Sequence, residues 1–282
     1  MGESMITYTN ANGESITMNR DSTFRVVEFN GRGGADADVQ MQKPPFFDGG
    51  QLVDVAFEER ELELEVEIKS TDTAEHRRKL ARVFNPKLKA GTLSYETSDG
   101  EWLIDCVATG VPQFPSKESS TGHQRCTVDL IAPNPYWRTP EIETSPTFEP
   151  LFKFPFEGSF EMGIQRDARI IDNDGDAPCP LQIEFNGPAE NPRIENVTTG
   201  EYIKVKQTLQ SSEVLKIDTT PGDKSVVIEE SDGTQRNVFN WIDLQSTFFQ
   251  LEVGENEIEY TADDDIQGAI VDMYYNKRYV GV

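Results

Sequence analysis

Between Glu61 and Ile68 the chain alternates without interruption: Leu62, Leu64, Val66 and Ile68 interleave with Glu61, Glu63, Glu65 and Glu67. Successive side chains of an extended strand point to opposite faces, so one face of this strand is aliphatic and the other carries carboxylates. A short helix follows. Asp72 offers an N-cap, Glu75 sits where a capping box needs it, and Leu80, Val83 and Phe84 form a narrow apolar stripe. Arg77, Arg78, Lys79 and Arg82 suit the negative end of the helix dipole. Pro86 stops the helix, because the residue before a proline avoids the helical region. Gly91 turns the chain into Thr92-Leu93-Ser94-Tyr95, a second strand. Strand, helix, strand is a scaffold pattern with no catalytic group in it.

The rest of the chain reads as β structure. Met5–Tyr8, Phe24–Phe29, Val53–Phe57, Trp102–Ala108 and Gln124–Ile131 are expected strands, with Gly31–Gly34 a flexible loop and Pro44-Pro45 and Asp48-Gly49-Gly50 as turn punctuation. Val111–His123 reads as a hairpin-like loop. Ala132-Pro133-Asn134-Pro135-Tyr136-Trp137 is a rigid stop anchored by aromatics, and the first domain, 1–138, ends there. Residues 138–160 carry Phe148, Phe152, Phe154, Phe156 and Phe160, too many aromatics for a disordered linker, and read as an extended segment packed along the second domain. From Arg169 short strands recur, among them Leu181–Phe185, Tyr202–Lys206, Val214–Asp218, Ser225–Glu229, Phe248–Leu251 and Glu257–Thr261. Turn signals such as Asp174-Gly175, Pro221-Gly222 and Asp232-Gly233 divide most of them, which argues a β-sandwich or jelly roll for 139–282. The expected fold class is mainly β: an N-terminal β-barrel-like domain with one short helix, then a β-sandwich.

Charge narrows the function classes. The formal net charge is −24, from 26 basic and 50 acidic residues. Residues 1–138 hold 15 basic and 22 acidic residues, net −7, and the remainder 11 and 28, net −17. Such acidity argues against docking on a nucleic-acid backbone or an anionic membrane. No apolar run approaches the roughly 20 residues that span a bilayer. Met1-Gly2-Glu3-Ser4 lacks the features of a signal peptide, so synthesis in a cytoplasm without export by that route is expected. Cys106, Cys126 and Cys179 are odd in number and make no disulfide framework; the first two read as small buried hydrophobes.

Chemical motifs are weak. Asp172-Asn173-Asp174-Gly175-Asp176 resembles the start of a calcium loop, but its glycine falls at the fourth position and the twelfth is Ile183, so it reads as a turn. Asp263-Asp264-Asp265 reads as a solvated loop, and two histidines, His76 and His123, leave little for zinc or for triad chemistry. No cofactor and no metal is expected, and no enzyme activity. Tyr202 and Trp241 are a candidate sugar platform, weighed against a buried core tryptophan.

The succession of markers resembles the siphophage distal tail protein family, the hub between tail tube and tail tip. In the first domain the carriers are the acidic-aliphatic strand, Phe84-Asn85-Pro86, Gly91-Thr92-Leu93-Ser94-Tyr95 and Ala132-Pro133-Asn134-Pro135-Tyr136-Trp137. In the second they are Ile171-Asp172-Asn173-Asp174-Gly175-Asp176-Ala177-Pro178-Cys179-Pro180-Leu181, Asn191-Pro192, Thr199-Gly200-Glu201, Leu251–Ile258 and Tyr274–Val282. The resemblance implies a galectin-like second domain and a hexameric ring in the virion, at the tail tip or baseplate. Such a ring caps the tube, passes DNA, and carries tail-tip or receptor-binding proteins outside, with no specific nucleic-acid binding and no membrane insertion. On that reading Arg77, Arg78, Lys79 and Arg82 meet an acidic surface of the next subunit, and Glu61, Glu63, Glu65 and Glu67 face the lumen. The alternative is a carbohydrate-binding module on an assembly domain used for host attachment.

Overall fold

The computed structural model describes residues 4–46, 48–120, 122–144, 168–263 and 270–282. The aromatic segment around Phe148–Phe160 and the Asp264–Asp265 part of the acidic run lie outside the described residues. The chain divides into two units, Met1–Pro140 together with Tyr279–Val282, and Glu141–Arg278. The four residues 279–282, read from sequence as part of the second domain, thus complete the first.

In the first unit the elements run β1 (Met5–Thr9), β2 (Ser15–Met18), β3 (Phe24–Asn30), β4 (Ala37–Gln42), β5 (Gln51–Phe57), β6 (Arg60–Lys69), α1 (Thr73–Val83), β7 (Gly91–Thr97), β8 (Gly100–Ala108), β9 (Ser119–Ser120), β10 (His123–Ala132) and β11 (Trp137–Arg138). An antiparallel path orders the main sheet β2-β1-β7-β8-β10-β6-β3. No ladder closes β3 back onto β2 among the described residues, so the barrel-like strand set is an open, strongly β unit. The alternation in β6 does what its spacing requires: Leu62, Leu64, Val66 and Ile68 are buried while the glutamates stay on the outer face. β10 pairs with β6 along its whole length, from His123↔Lys69 to Ala132↔Arg60, and buries Cys126, Val128 and Leu130 in the same layer. Burying one such aliphatic side chain contributes about 1.5–3 kcal/mol before the cost of ordering it.

Helix α1 covers one side of this core. Asp72 caps it by accepting from Glu75 N–H at 3.1 Å, and the Asp72 N–H donates to Ser70 Oγ at 3.1 Å, the place where a complete capping box would use Glu75. Leu80, Val83 and Phe84 are buried as the stripe demands, and Phe84 stacks on Tyr8 at 4.5 Å. Gly91 has no alternative residue, since a Cβ there would lie 2.4 Å from Thr9 O.

The second unit holds β12 (Ile142–Thr144), β13 (Ala168–Asn173), β14 (Leu181–Asn186), β15 (Ala189–Glu190), β16 (Arg193–Asn196), β17 (Glu201–Lys204), β18 (Thr208–Leu209), β19 (Val214–Asp218), β20 (Ser225–Glu229), β21 (Gln235–Asn237), β22 (Gly254–Thr261) and β23 (Ile270–Tyr275). Two antiparallel sheets, β12-β23-β14-β19-β20-β21 and β13-β22-β16-β17, form a sandwich, with β15-β18 as a small third ladder. Leu181, Ile183 and Phe185 from the larger sheet share one core with Ile194, Ile258 and Tyr260 from the smaller. Phe185 meets Tyr260 edge to face at 5.8 Å across the two layers. Phe248–Leu251 is not a strand: Leu251 makes only an isolated bridge to Cys179.

Candidate functional site

The carboxylate face of β6 is not uniform. Arg125 on β10 donates to Glu65 at 3.0 Å, while Arg25, Lys69 and His123 surround Glu67 at 3.8, 4.0 and 3.6 Å. Arg25 on β3 lies directly opposite Glu67, whereas Arg125 on β10, also opposite Glu67 in register, reaches diagonally to Glu65. Toward the other end of the strand the neighbours change sign: Glu63 faces Asp129, and Glu28 stands beside Glu65 on the β3 side. No ion pair reaches Glu61 or Glu63 among the described residues. The structure thus splits the four candidate lumen residues into two compensated and two free carboxylates.

The basic helix divides in a similar way. Arg82 Nε is held by Glu14 at 3.1 Å, so its charge is spent within the unit. Lys79 Nζ sits 5.9 Å from the centre of the Phe24 ring. Arg77 and Arg78 are exposed, and among the described residues no ion pair reaches them or Lys79.

Two features lie outside the expected sites. The first is Arg60, only 1% exposed and, among the described residues, with no carboxylate partner. Its Nε donates to Pro135 O at 2.6 Å, Nη1 to Gly31 O at 2.8 Å and Gly33 O at 3.3 Å, and Nη2 to Val280 O at 2.7 Å. Burial pulls its pKa below the ordinary arginine value, and carbonyl dipoles rather than an anion compensate the charge. Gly31 sits at φ +96, where a Cβ would strike Glu61 O at 2.4 Å, so only glycine brings this loop to the guanidinium. The acceptors are remote in sequence, which hides the knot from any local reading.

The second is the hairpin β4–β5. Every residue of both strands is exposed. Val39 faces Val55, Met41 faces Leu52 and Ala37 faces Phe57, with a register shift at Gln40/Met41. One side is therefore apolar and, among the described residues, uncovered except at its base, where Phe57 meets Tyr136 edge to face at 5.8 Å.

In the second unit Tyr202 and Trp241 are not brought together. Tyr202 O accepts from Thr247 N–H, and Trp241 O accepts from Lys206 N–H, which places the two backbone positions four residues apart along one paired edge. At about 3.3 Å per residue that is a separation of about 13 Å. The Arg193 guanidinium lies 4.0 Å from the Tyr202 ring centre and covers one face of it. Trp241 is 52% exposed, so it is not the core tryptophan weighed above. The Asp172–Asp176 turn is cross-linked internally: the fully buried Asn173 accepts from Gly175 N–H and donates to Ala177 O and Leu251 O, and Lys277 pairs with Asp174 at 2.6 Å. No group of three potential metal-binding side chains occurs among the described residues. Burial pushes the thiols of Cys106 and Cys126 up to about 12 and that of Cys179 up to about 11, far from nucleophilic character. Among the described residues no helix is long and apolar enough to cross a membrane.

Residues 11–132 match the family described as phage tail protein RIFT-related domain, and residues 174–279 match that described as siphovirus-type tail component, C-terminal domain. The chain belongs to the siphovirus-type tail components. Each match falls within one structural unit save for its last residue, Tyr279. This tail component is similar in fold to SPP1 Dit (gp 19.1), described as a paradigm of the hub adsorption apparatus in phages infecting Gram-positive hosts, with a TM-score of 0.66, 14% identity and 98% of each chain covered. It is likewise similar to a chain of the phage P2 baseplate in its activated conformation with Ca, at a TM-score of 0.60, 13% identity and full coverage of both chains. The same baseplate with Sr gives a TM-score of 0.55 at 13% identity, over 97% of this chain and 98% of that one. No curated protein sequence matches the tail component. Its place is in the virion tail.

Proposed function

We propose that this tail component is the distal tail hub of a siphophage: copies of the first unit close into a hexameric ring that caps the tail tube, joins it to the tail tip or receptor-binding proteins, and lets DNA pass. The observation that carries this reading is the end-to-end likeness to SPP1 Dit, 98% of both chains in one order of domains. Two surfaces fit it. Glu61 and Glu63, uncompensated on an outer sheet face, suit a lumen wall, since like charge keeps the phosphate backbone from adhering. Arg77, Arg78 and Lys79 suit a contact with an acidic neighbour. The role is architectural, and the two domains need no reaction to perform it. A sugar-binding second unit is the weaker alternative, because its two named aromatics are far apart along one edge.

Native mass spectrometry of the purified chain tests the ring: a closed oligomer is expected, and a monomer at every concentration up to that of the assembling virion overturns the reading. Within a ring, Glu61→Lys with Glu63→Lys is expected to leave folding intact and create salt-sensitive DNA binding. Unchanged DNA affinity in an assembled ring would remove these residues from the lumen.

A further inference from the structure

Among the described residues nothing covers the hairpin β4–β5. An isolated two-stranded hairpin is marginal in water, and exposed apolar strands with free edges are templates for association. Val39, Met41, Leu52, Val55 and Phe57 nevertheless stand exposed on it, Met41 at 68%. Around this apolar face the segment is acidic: from Asp36 to Glu59 it holds Asp36, Asp38, Asp48, Asp54, Glu58 and Glu59 against a single base, Lys43. That rim repels phosphate backbones and anionic membranes alike, so the occupant is a protein surface carrying cations. Such a surface is present on this same unit. Arg77, Arg78 and Lys79 project from α1, and Lys87 and Lys89 follow it, in a chain of net charge −24. Arginine and lysine stems cover apolar surface while their charged heads reach outward to acids.

We propose that the hairpin of one copy lies across the basic face of α1 on the next copy. Its apolar side packs on the stems of Arg77, Arg78 and Lys79, and the Glu58-Glu59 pair at its base receives their heads, while Asp38 and Asp54 stand on the opposite side of the hairpin. This rests on the ring reading and names the contact that closes it. Hairpin and helix are different patches of one unit, so the contact is head to tail, the kind that generates closed rings when the rotation per subunit is right.

Two experiments on the full chain test it. Met41→Cys combined with Arg78→Cys is expected to form an intersubunit disulfide under mild oxidation, giving a ladder on a non-reducing gel that ends at the ring size; each single variant gives none. The native cysteines are buried and do not compete. Separately, Glu58→Arg with Glu59→Arg, or Arg77→Glu with Arg78→Glu, is expected to raise the concentration needed for assembly at least tenfold, and the combination of all four to restore it. An intact wild-type ring whose cysteine pair fails to cross-link, or whose four-fold exchange does not restore assembly, overturns the hairpin assignment and leaves the hub reading standing. A wild-type chain that never oligomerises overturns the hub reading, and this contact with it.

Discussion

Strands β5 and β6 are separated only by Glu58 and Glu59, yet they are built on opposite terms. In β6 every second residue is buried, and its ladders to β10 and β3 lock both edges. In β5 no residue is buried, and its single partner β4 is equally bare. Both carry Val and Leu, so hydrophobicity alone does not decide burial. What differs is the strand's company: β6 finds its core within the chain, whereas β5 has only a hairpin partner. The difference separates residues that stabilise the unit from residues available to join units.

That contrast can be broken most severely in the core. Leu64→Ala in β6 is expected to cost about 2–5 kcal/mol, read as a lower urea midpoint for the first unit. A cost below about 1 kcal/mol would mean that β6 is not the strand the core is built on. Arg60→Met should come next, at about 3 kcal/mol, because carbonyls of Gly31, Pro135 and Val280 lose a buried donor at once. A chain ending at residue 278 keeps the arginine but removes the Val280 acceptor and the Val282 N–H bond to Arg32 O, and should show part of the same loss.

Alkaline pH sharpens the comparison by titration. The unfolded thiols of Cys106 and Cys126 ionise near 9.0, whereas in the fold they stay protonated to about 12, and the Tyr8 hydroxyl, ordinarily at 10.0, is likewise pushed up to about 12, chiefly by burial. Between these values the unfolded state binds fewer protons than the folded one, so stability falls as pH rises from 9 toward 12. Each protonated thiol accounts for about 1.4 kcal/mol per pH unit in that window. Cys106→Ala with Cys126→Ala should flatten the slope measured by chemical denaturation at pH 8, 9 and 10; an unchanged slope would exclude these thiols as its source. The smallest effect belongs to the hairpin: Val55→Ser is expected to change the stability of the lone chain by less than about 0.5 kcal/mol while weakening its assembly. A large loss of monomer stability would show that β5 packs on its own unit after all.

What the sequence made legible follows the same division. β6, α1 and the strands of the sandwich could be read because a half-buried element writes its burial as a period. β4, β2 and β21 could not, since Ala37–Gln42, Ser15–Met18 and Gln235–Asn237 are short and largely polar. Phe248–Leu251 looked like a strand through its apolar residues, but it supplies Phe249 and Leu251 to the core without joining a ladder. Of the candidate site, the cationic helix was visible as a cluster, yet Arg82's capture by Glu14 and the neutralisation of Glu65 and Glu67 depend on partners set by topology. Arg60 was invisible for the same reason.

The Arg60 knot also sets an order in time. Residues 279–282 follow the whole of the second unit in the chain, yet they supply an acceptor to a guanidinium that leaves the ribosome more than two hundred residues earlier. The first unit is therefore begun first and finished last. Until Val280 arrives, one arm of a buried cation lacks its acceptor. Folding of the first unit thus cannot finish until the chain has been made through residue 280.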